Sequence, residues 1–232
     1  MLITTLLLLG YVAIQVVKYI IARMSYWGEQ RRYIEENQEY INQVQAMDAR
    51  YTLEPPDVEL AEKCGEYLAG MFPSGIEAAT QCMSKEELLE LFFQIENDAE
   101  HLMGVTTDNV DFYESETPPT SSYFGYYSRQ DNSLHINRAF ILSGDARLVR
   151  EQVSTIFHEL KHARQWKAIE NCLADGDTFG YSEQLIMAWT ENLRNYIPSV
   201  LGDEIYRKQP VEVDSFGFEK RVMRIFDNKL VN

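Results

Sequence analysis

The sequence predicts an α+β protein, predominantly helical, with helices packed on a short sheet or hairpin and an N-terminal transmembrane helix. Three observations predict it. The chain opens with an almost uncharged apolar run. Most of the remainder alternates apolar and polar residues at helical spacing. Between two such helical stretches lies a short, aromatic, strand-like region with a turn signal.

Residues 1–17 carry no charge and include Leu6-Leu7-Leu8-Leu9, and after Lys18 the run Tyr19-Ile20-Ile21-Ala22 continues to Arg23. Roughly 20 apolar residues span the hydrocarbon core, so residues 1–24 suffice as an anchor if Lys18 snorkels to the headgroups. No basic stretch precedes the run and no small-residue cleavage site follows it, as a signal peptide would need. Lys18, Arg23, Arg31 and Arg32 all follow, so the positive-inside rule places the rest of the chain in the cytoplasm, a single-pass membrane protein. Tyr26 and Trp27 stand where an interfacial aromatic anchor belongs.

Residues 25–56 read as a juxtamembrane helical stalk. Its apolar positions Tyr33-Ile34, Tyr40-Ile41, Val44 and Met47 recur near heptad spacing. That suits either self-association with a second copy or a helix lying on the domain. Pro55-Pro56 breaks the pattern, and residues 57–232 form the domain proper. A helix over 58–72 closes at Pro73-Ser74-Gly75. Ser84-Lys85-Glu86-Glu87 is a capping box opening a packing helix that runs to Met103, with Leu88, Leu89, Phe92, Ile95 and Leu102 on its apolar face. His101 on that helix is a surface residue. Val110-Asp111-Phe112-Tyr113 forms a short strand, and Pro118-Pro119 an irregular loop. Tyr123-Phe124-Gly125-Tyr126-Tyr127 and Ser133-Leu134-His135-Ile136-Asn137 form two strands turning at Asp131-Asn132, with Gly125 permitting close backbone approach. His135 alternates with two apolar neighbours and points outward.

Net charge is −15, which excludes a nucleic-acid binder, because phosphate neutralisation needs clustered Lys and Arg. Cys64, Cys82 and Cys172 are odd in number and in no metal-ligand spacing, which argues against a disulfide framework and for a reducing compartment.

With Ser143 or Asp145 as cap, the next helix carries Val149, Val153, Ile156, Leu160 and Ala163 as a regular buried stripe. Beside that stripe lies His158-Glu159-Leu160-Lys161-His162, which takes two of the four histidines in the chain. It matches H-E-x-x-H, in which imidazoles one turn apart on a helix face grip Zn2+ and the glutamate is general base. A catalytic zinc usually takes three protein ligands. Glu170, Glu183, Glu191 and Glu212 are the candidates for the third. Glu170, two turns along the same helix, converges poorly. Glu183 opens the following helix, and Glu212 follows Pro210, which suits a helical first turn. Spacing leaves Glu183 and Glu212 open.

Gly125-Tyr126-Tyr127, Leu134-His135-Ile136-Asn137 and the segment from Thr155 through the motif to Gln165 together resemble the small bacterial gluzincin-type metallopeptidases. Tyr206-Arg207-Lys208-Gln209-Pro210-Val211-Glu212-Val213-Asp214-Ser215-Phe216 resembles the ligand-bearing last helix of such families, with Ser215 where alanine is usual. The resemblance covers roughly residues 84–226 and implies a minimal zincin-like core. It implies zinc held by His158, His162 and Glu212, with Glu183 as the rival, and Glu159 as the catalytic base. It implies a zinc metallopeptidase, a hydrolase acting on a protein or peptide substrate beside the membrane. Glu159 would take a proton from water and pass it to the leaving amine. Tyr206, Tyr196 or a hairpin aromatic would donate to the oxyanion, and Asp214 would either orient a ligand histidine or face solvent. Trp189, Asn192 and Tyr196 would pack the helix between. The reading from another class is a catalytically inactive zincin-fold binding or scaffold protein at the membrane, against which the retained Glu159 argues.

Overall fold

A computed structural model describes residues 2–47, 54–114 and 124–231, and the side chains of 1–16, 19–23 and 27 lie outside the described set. The described chain is predominantly helical with one small sheet, an α+β arrangement. It divides into two compact units, Met1–Asp48 with Ile197–Lys208, and Ala49–Tyr196 with Gln209–Asn232.

In the first unit, a single helix α1 (Leu2–Ala46) runs through what the sequence divides into anchor and stalk. No Gly-Pro or Pro interrupts residues 2–46, and the helix has no reason to stop at residue 24. Among the described residues no helix is long and apolar enough to cross a membrane. The expected transmembrane helix falls on residues 1–24, most of whose side chains lie outside the described set. The stalk stripe is partly covered within the chain: Ile41 and Val44 are buried with Ile197, and Ile34, Tyr40, Leu201 and Ile205 pack around them. Residues 48–53, within the expected 25–56 stalk, lie outside the described residues.

In the second unit, α2 (Pro55–Met71) begins at the two prolines rather than after them. Proline lacks only an N–H that the first turn leaves unpaired anyway, so the pair opens this helix instead of merely ending the previous one. After α3 (Ile76–Thr80), α4 (Lys85–Met103) carries the expected capping box: Glu87 N–H donates to Ser84 Oγ and Ser84 N–H to Glu87 Oε2. Gly104, with φ +64°, ends it in the left-handed region.

Strands β1 (Asn109–Tyr113), β2 (Gly125–Ser128) and β3 (Ser133–Asn137) form a sheet in the order β1-β3-β2. The hairpin is the expected one, β2 antiparallel to β3, with Phe124 just before β2 rather than in it; Tyr123 and Pro118-Pro119 lie outside the described residues. β1 adds in parallel on the other side of β3. Leu134 and Ile136 of the central strand are buried in the core, while His135 stacks on Tyr126 with ring centroids 4.4 Å apart. A Cβ on Gly125 would meet His135 O at 2.7 Å, which is the close approach the glycine was expected to serve.

After α5 (Arg138–Ile141) comes the long α6 (Ala146–Asp175), capped by the Asp145 side chain on Arg147 N–H. All five stripe residues of α6 are buried. α7 (Glu183–Arg194) follows; in the first unit the turn of 3-10 helix Ser199–Leu201 leads to α8 (Asp203–Arg207); and α9 (Pro210–Leu230) closes the chain. The main core joins α2, α3, α4, the sheet, α6 and α9 through residues such as Leu68, Phe92, Leu134, Phe157 and Phe226. Burial of this kind contributes ~25 cal/mol per Å² of apolar surface and fixes α6 and α9 against one another. All three cysteines are free, and Cys82 is exposed.

Candidate metal centre

α6 sets its core stripe against the sheet and α9, and the histidines border that stripe. His158 Nε2 and His162 Nε2 stand 3.2 Å apart. From α9, Glu212 brings Oε2 to 3.4 Å from His158 Nε2 and Oε1 to 3.4 Å from His162 Nε2. Two ligand atoms each ~2.0–2.1 Å from a tetrahedral ion are roughly 3.3 Å apart, close to the separation of the two imidazole nitrogens and to that of each from one oxygen of Glu212, and one ligand atom from each residue lies within 4.8 Å of the others. His158 and Glu212 are buried and His162 is half-buried, giving the cluster one more accessible side. Buried Glu212 Oε2 has no hydrogen-bond partner among the described residues, a cost that a cation on that oxygen would remove.

Glu212 reaches this position because α9 starts where it does. Pro210 occupies the first turn, and the carboxylate at the next turn position sits favourably at the positive end of the helix. Buried Asn192 of α7 clamps that start: its Oδ1 accepts from Val211 N–H at 3.0 Å and its Nδ2 donates to Gln209 Oε1 at 2.9 Å. Tyr196 OH donates to Glu212 Oε1 at 2.7 Å. Asn192 and Trp189 are buried as expected. Tyr206 belongs to the other compact unit.

Electrostatics divide the group by charge. Burial pushes the Glu212 carboxyl up, but the two facing imidazoles overcome it and hold it well below the usual carboxylate range. Burial opposes a charged His158; Glu212 and Glu219 outweigh that and raise it well above an ordinary imidazole. His162 is raised against the same burial penalty, chiefly by Glu212. Burial also raises Glu159, against the lowering effect of both imidazoles. Glu159 is not among the converging ligands; its Oε2 accepts from Tyr127 N–H of β2 at 2.9 Å. That ties the hairpin to the metal helix.

The other candidates for third ligand lie elsewhere. Glu183 is exposed at the start of α7, Glu191 accepts from Asn195, and Glu170 is engaged by Arg129. Asp214 is buried rather than solvent-facing and reaches Gln165, not a histidine.

Four residues around the cluster were not singled out by the sequence. Glu219 Oε2 lies 3.1 Å from His158 Nδ1, off the line of a good hydrogen bond. Phe216 packs its ring against His158, centroids 4.4 Å apart. Lys161, inside the motif, is fully buried, with Nζ 2.7 Å from Asp57 Oδ1 and 3.2 Å from Asp214 Oδ2. Asp57 also accepts from Tyr181 OH at 2.7 Å. Glu219 had a readable signal, seven residues past Glu212 and so on the same helix face. Asp57, over a hundred residues from its partner, had none.

No protein-family model, curated protein or solved structure matches this chain.

Proposed function

We propose that this chain is a zinc-dependent metallopeptidase with a minimal zincin-like core, its zinc held by His158, His162 and Glu212. The observation that carries the reading is the convergence of those three residues, one ligand atom from each lying within 4.8 Å of the others, beside a buried Glu159 that is not one of them. A structural site has no use for a carboxylate there; a hydrolytic one needs a base. Zinc in this setting supplies Lewis acidity toward water and the scissile carbonyl.

The chain's own residues do the rest. Tyr127 N–H holds the Glu159 carboxylate by one oxygen. Glu159 takes the water's proton and delivers it to the departing amine. Tyr196 and Asn192 keep Glu212 and the start of α9 in place, so the ligand set stays assembled through turnover. The apolar run of residues 1–24 supports attachment to a membrane, with the basic residues that follow it favouring a cytoplasmic catalytic unit.

Glu159→Gln tests the reading. The variant is expected to bind zinc like wild type while cleavage of a protein substrate falls by ~10²–10⁴-fold. Equal cleavage by both proteins would end the peptidase mechanism. Fractionation tests the anchor: full-length protein soluble without detergent would remove it.

A further inference from the structure

Beneath the cluster, a chain of polar contacts runs from His162 to a buried ammonium. His162 Nδ1 lies 2.9 Å from Gln165 Oε1. Gln165 Nε2 lies 2.8 Å from Asp214 Oδ2 and 3.0 Å from Val211 O. Asp214 Oδ2 in turn lies 3.2 Å from Lys161 Nζ, whose other partners are Asp57 Oδ1 and Tyr181 OH. Lys161, Gln165 and Asp57 are fully buried, so none of these groups can turn to water instead.

The chemistry fixes the direction of every bond in this chain. Lys161 has only donors to offer, so it faces Asp214 as an acceptor. A carboxylate oxygen and a peptide carbonyl both face one end of Gln165, and that end must be the NH2. The amide oxygen is then the end facing His162. An amide oxygen accepts only, so Nδ1 carries a proton, and in the neutral ring Nε2 is then the nitrogen with the lone pair, on the side of Glu212 and His158. Ser215 Oγ, 3.3 Å from the same Nδ1, can donate or accept and so dictates nothing.

The geometry points to Gln165 as a positioning residue for the metal site: held by Lys161 through Asp214, its amide oxygen locks His162 in the tautomer that offers Nε2 to zinc. This deepens the zinc reading and rests on it for the affinity change, but the tautomer itself is a property of the protein without metal.

Two variants test it on the full chain: Gln165→Leu and Ser215→Ala. Imidazole nitrogen NMR on the metal-free protein, in buffer alkaline enough to leave the rings neutral, reads the tautomer. Wild type and Ser215→Ala are expected to show the proton on Nδ1 of His162, and Gln165→Leu a mixture. Zinc affinity by chelator competition is expected to fall ~10–100-fold in Gln165→Leu, as loss of a ligand's orienting partner does. Ser215→Ala should cost less. Thermal melts separate these outcomes from unfolding: a folded Gln165→Leu protein that binds zinc like wild type overturns the inference. So does a His162 carrying its proton on Nε2 in wild type, or a Gln165→Leu protein with unchanged tautomer. A wild type that shows the Nδ1 tautomer but binds no zinc defeats the metallopeptidase reading and leaves the tautomer lock standing.

Discussion

At the scale of single residues, burial of charge is confined to groups that find partners, with one informative exception. Lys161 is enclosed by Asp57, Asp214 and the rings of Tyr181, Trp189 and Phe218, whose faces lie 4.5–5.5 Å from its Nζ. Glu96 of α4 has no cation. It is 5% exposed, with Thr107 Oγ1 at 3.4 Å and the Glu100 carboxylate one turn away. Burial first and the Glu100 charge second push its carboxyl up from 4.5 to about 8. A carboxyl raised on folding stabilises the native state fully below its unfolded value, and the contribution is lost as pH rises toward the folded one. Wild type is therefore expected to lose stability between pH 4.5 and 8 relative to Glu96→Gln, by up to ~1.4 kcal/mol per pH unit for one proton. Melting curves across that range decide it; parallel profiles for the two proteins would exclude Glu96 as the source.

At the scale of elements, helix approach sets where the ligands stand. α2 packs on α9 at Gly65, where a Cβ would lie 2.5 Å from Ile225 Cγ2 and 3.1 Å from Val222 O. Alanine would gain ~1 kcal/mol of helix propensity and lose ~1–3 kcal/mol to overpacking. Since Ile225 Cβ would lie at 2.7 Å and cannot swing away as the end of a flexible side chain could, the second effect wins. Gly65→Ala should lower the midpoint of urea unfolding. No loss would mean that α9 shifts freely, contrary to a ligand helix held in register. How well these elements could be read from the sequence varies with the range of the signal. Capping at Ser84, the stripe of α6 and the Pro210 start of α9 are local patterns, and all three stand as read. The parallel pairing of β1 with β3 joins strands that have β2 between them in sequence, and a hairpin signal cannot contain it. Pro55-Pro56 was ambiguous for a different reason: the same residues that end one helix are favoured to open another.

At the scale of the whole molecule, the candidate site spans the chain. Its donors come from α6 and α9, with Tyr196 just past α7, Tyr127 on β2 and Asp57 on α2 in support. The two histidines and Glu159 were legible because they occupy consecutive turns of one helix. Glu212 was reached only through its likeness to a ligand-bearing helix, and Lys161 was hidden, because a lysine on a motif helix ordinarily faces water. A ligand that binds only the assembled cluster stabilises it by ~2.7 kcal/mol at a hundred times its dissociation constant. A strong chelator is accordingly expected to lower the melting temperature, zinc to restore it, and His162→Ala to abolish the dependence. A melting temperature indifferent to zinc in wild type would contradict the cluster's assignment. The buried ammonium carries one more consequence, which concerns the order of events during folding. Lys161 and Asp57 are 104 positions apart in sequence, and Asp214 comes from the last helix. An ammonium enters the interior only when its counterions arrive with it, since a lone one costs several kcal/mol to dehydrate. The helix bearing both histidines therefore docks only after the two ends of the unit have met around Lys161. A chain without α9 lacks Glu212 and Asp214 together, so the metal ligand and the counterion of the buried ammonium arrive on one helix.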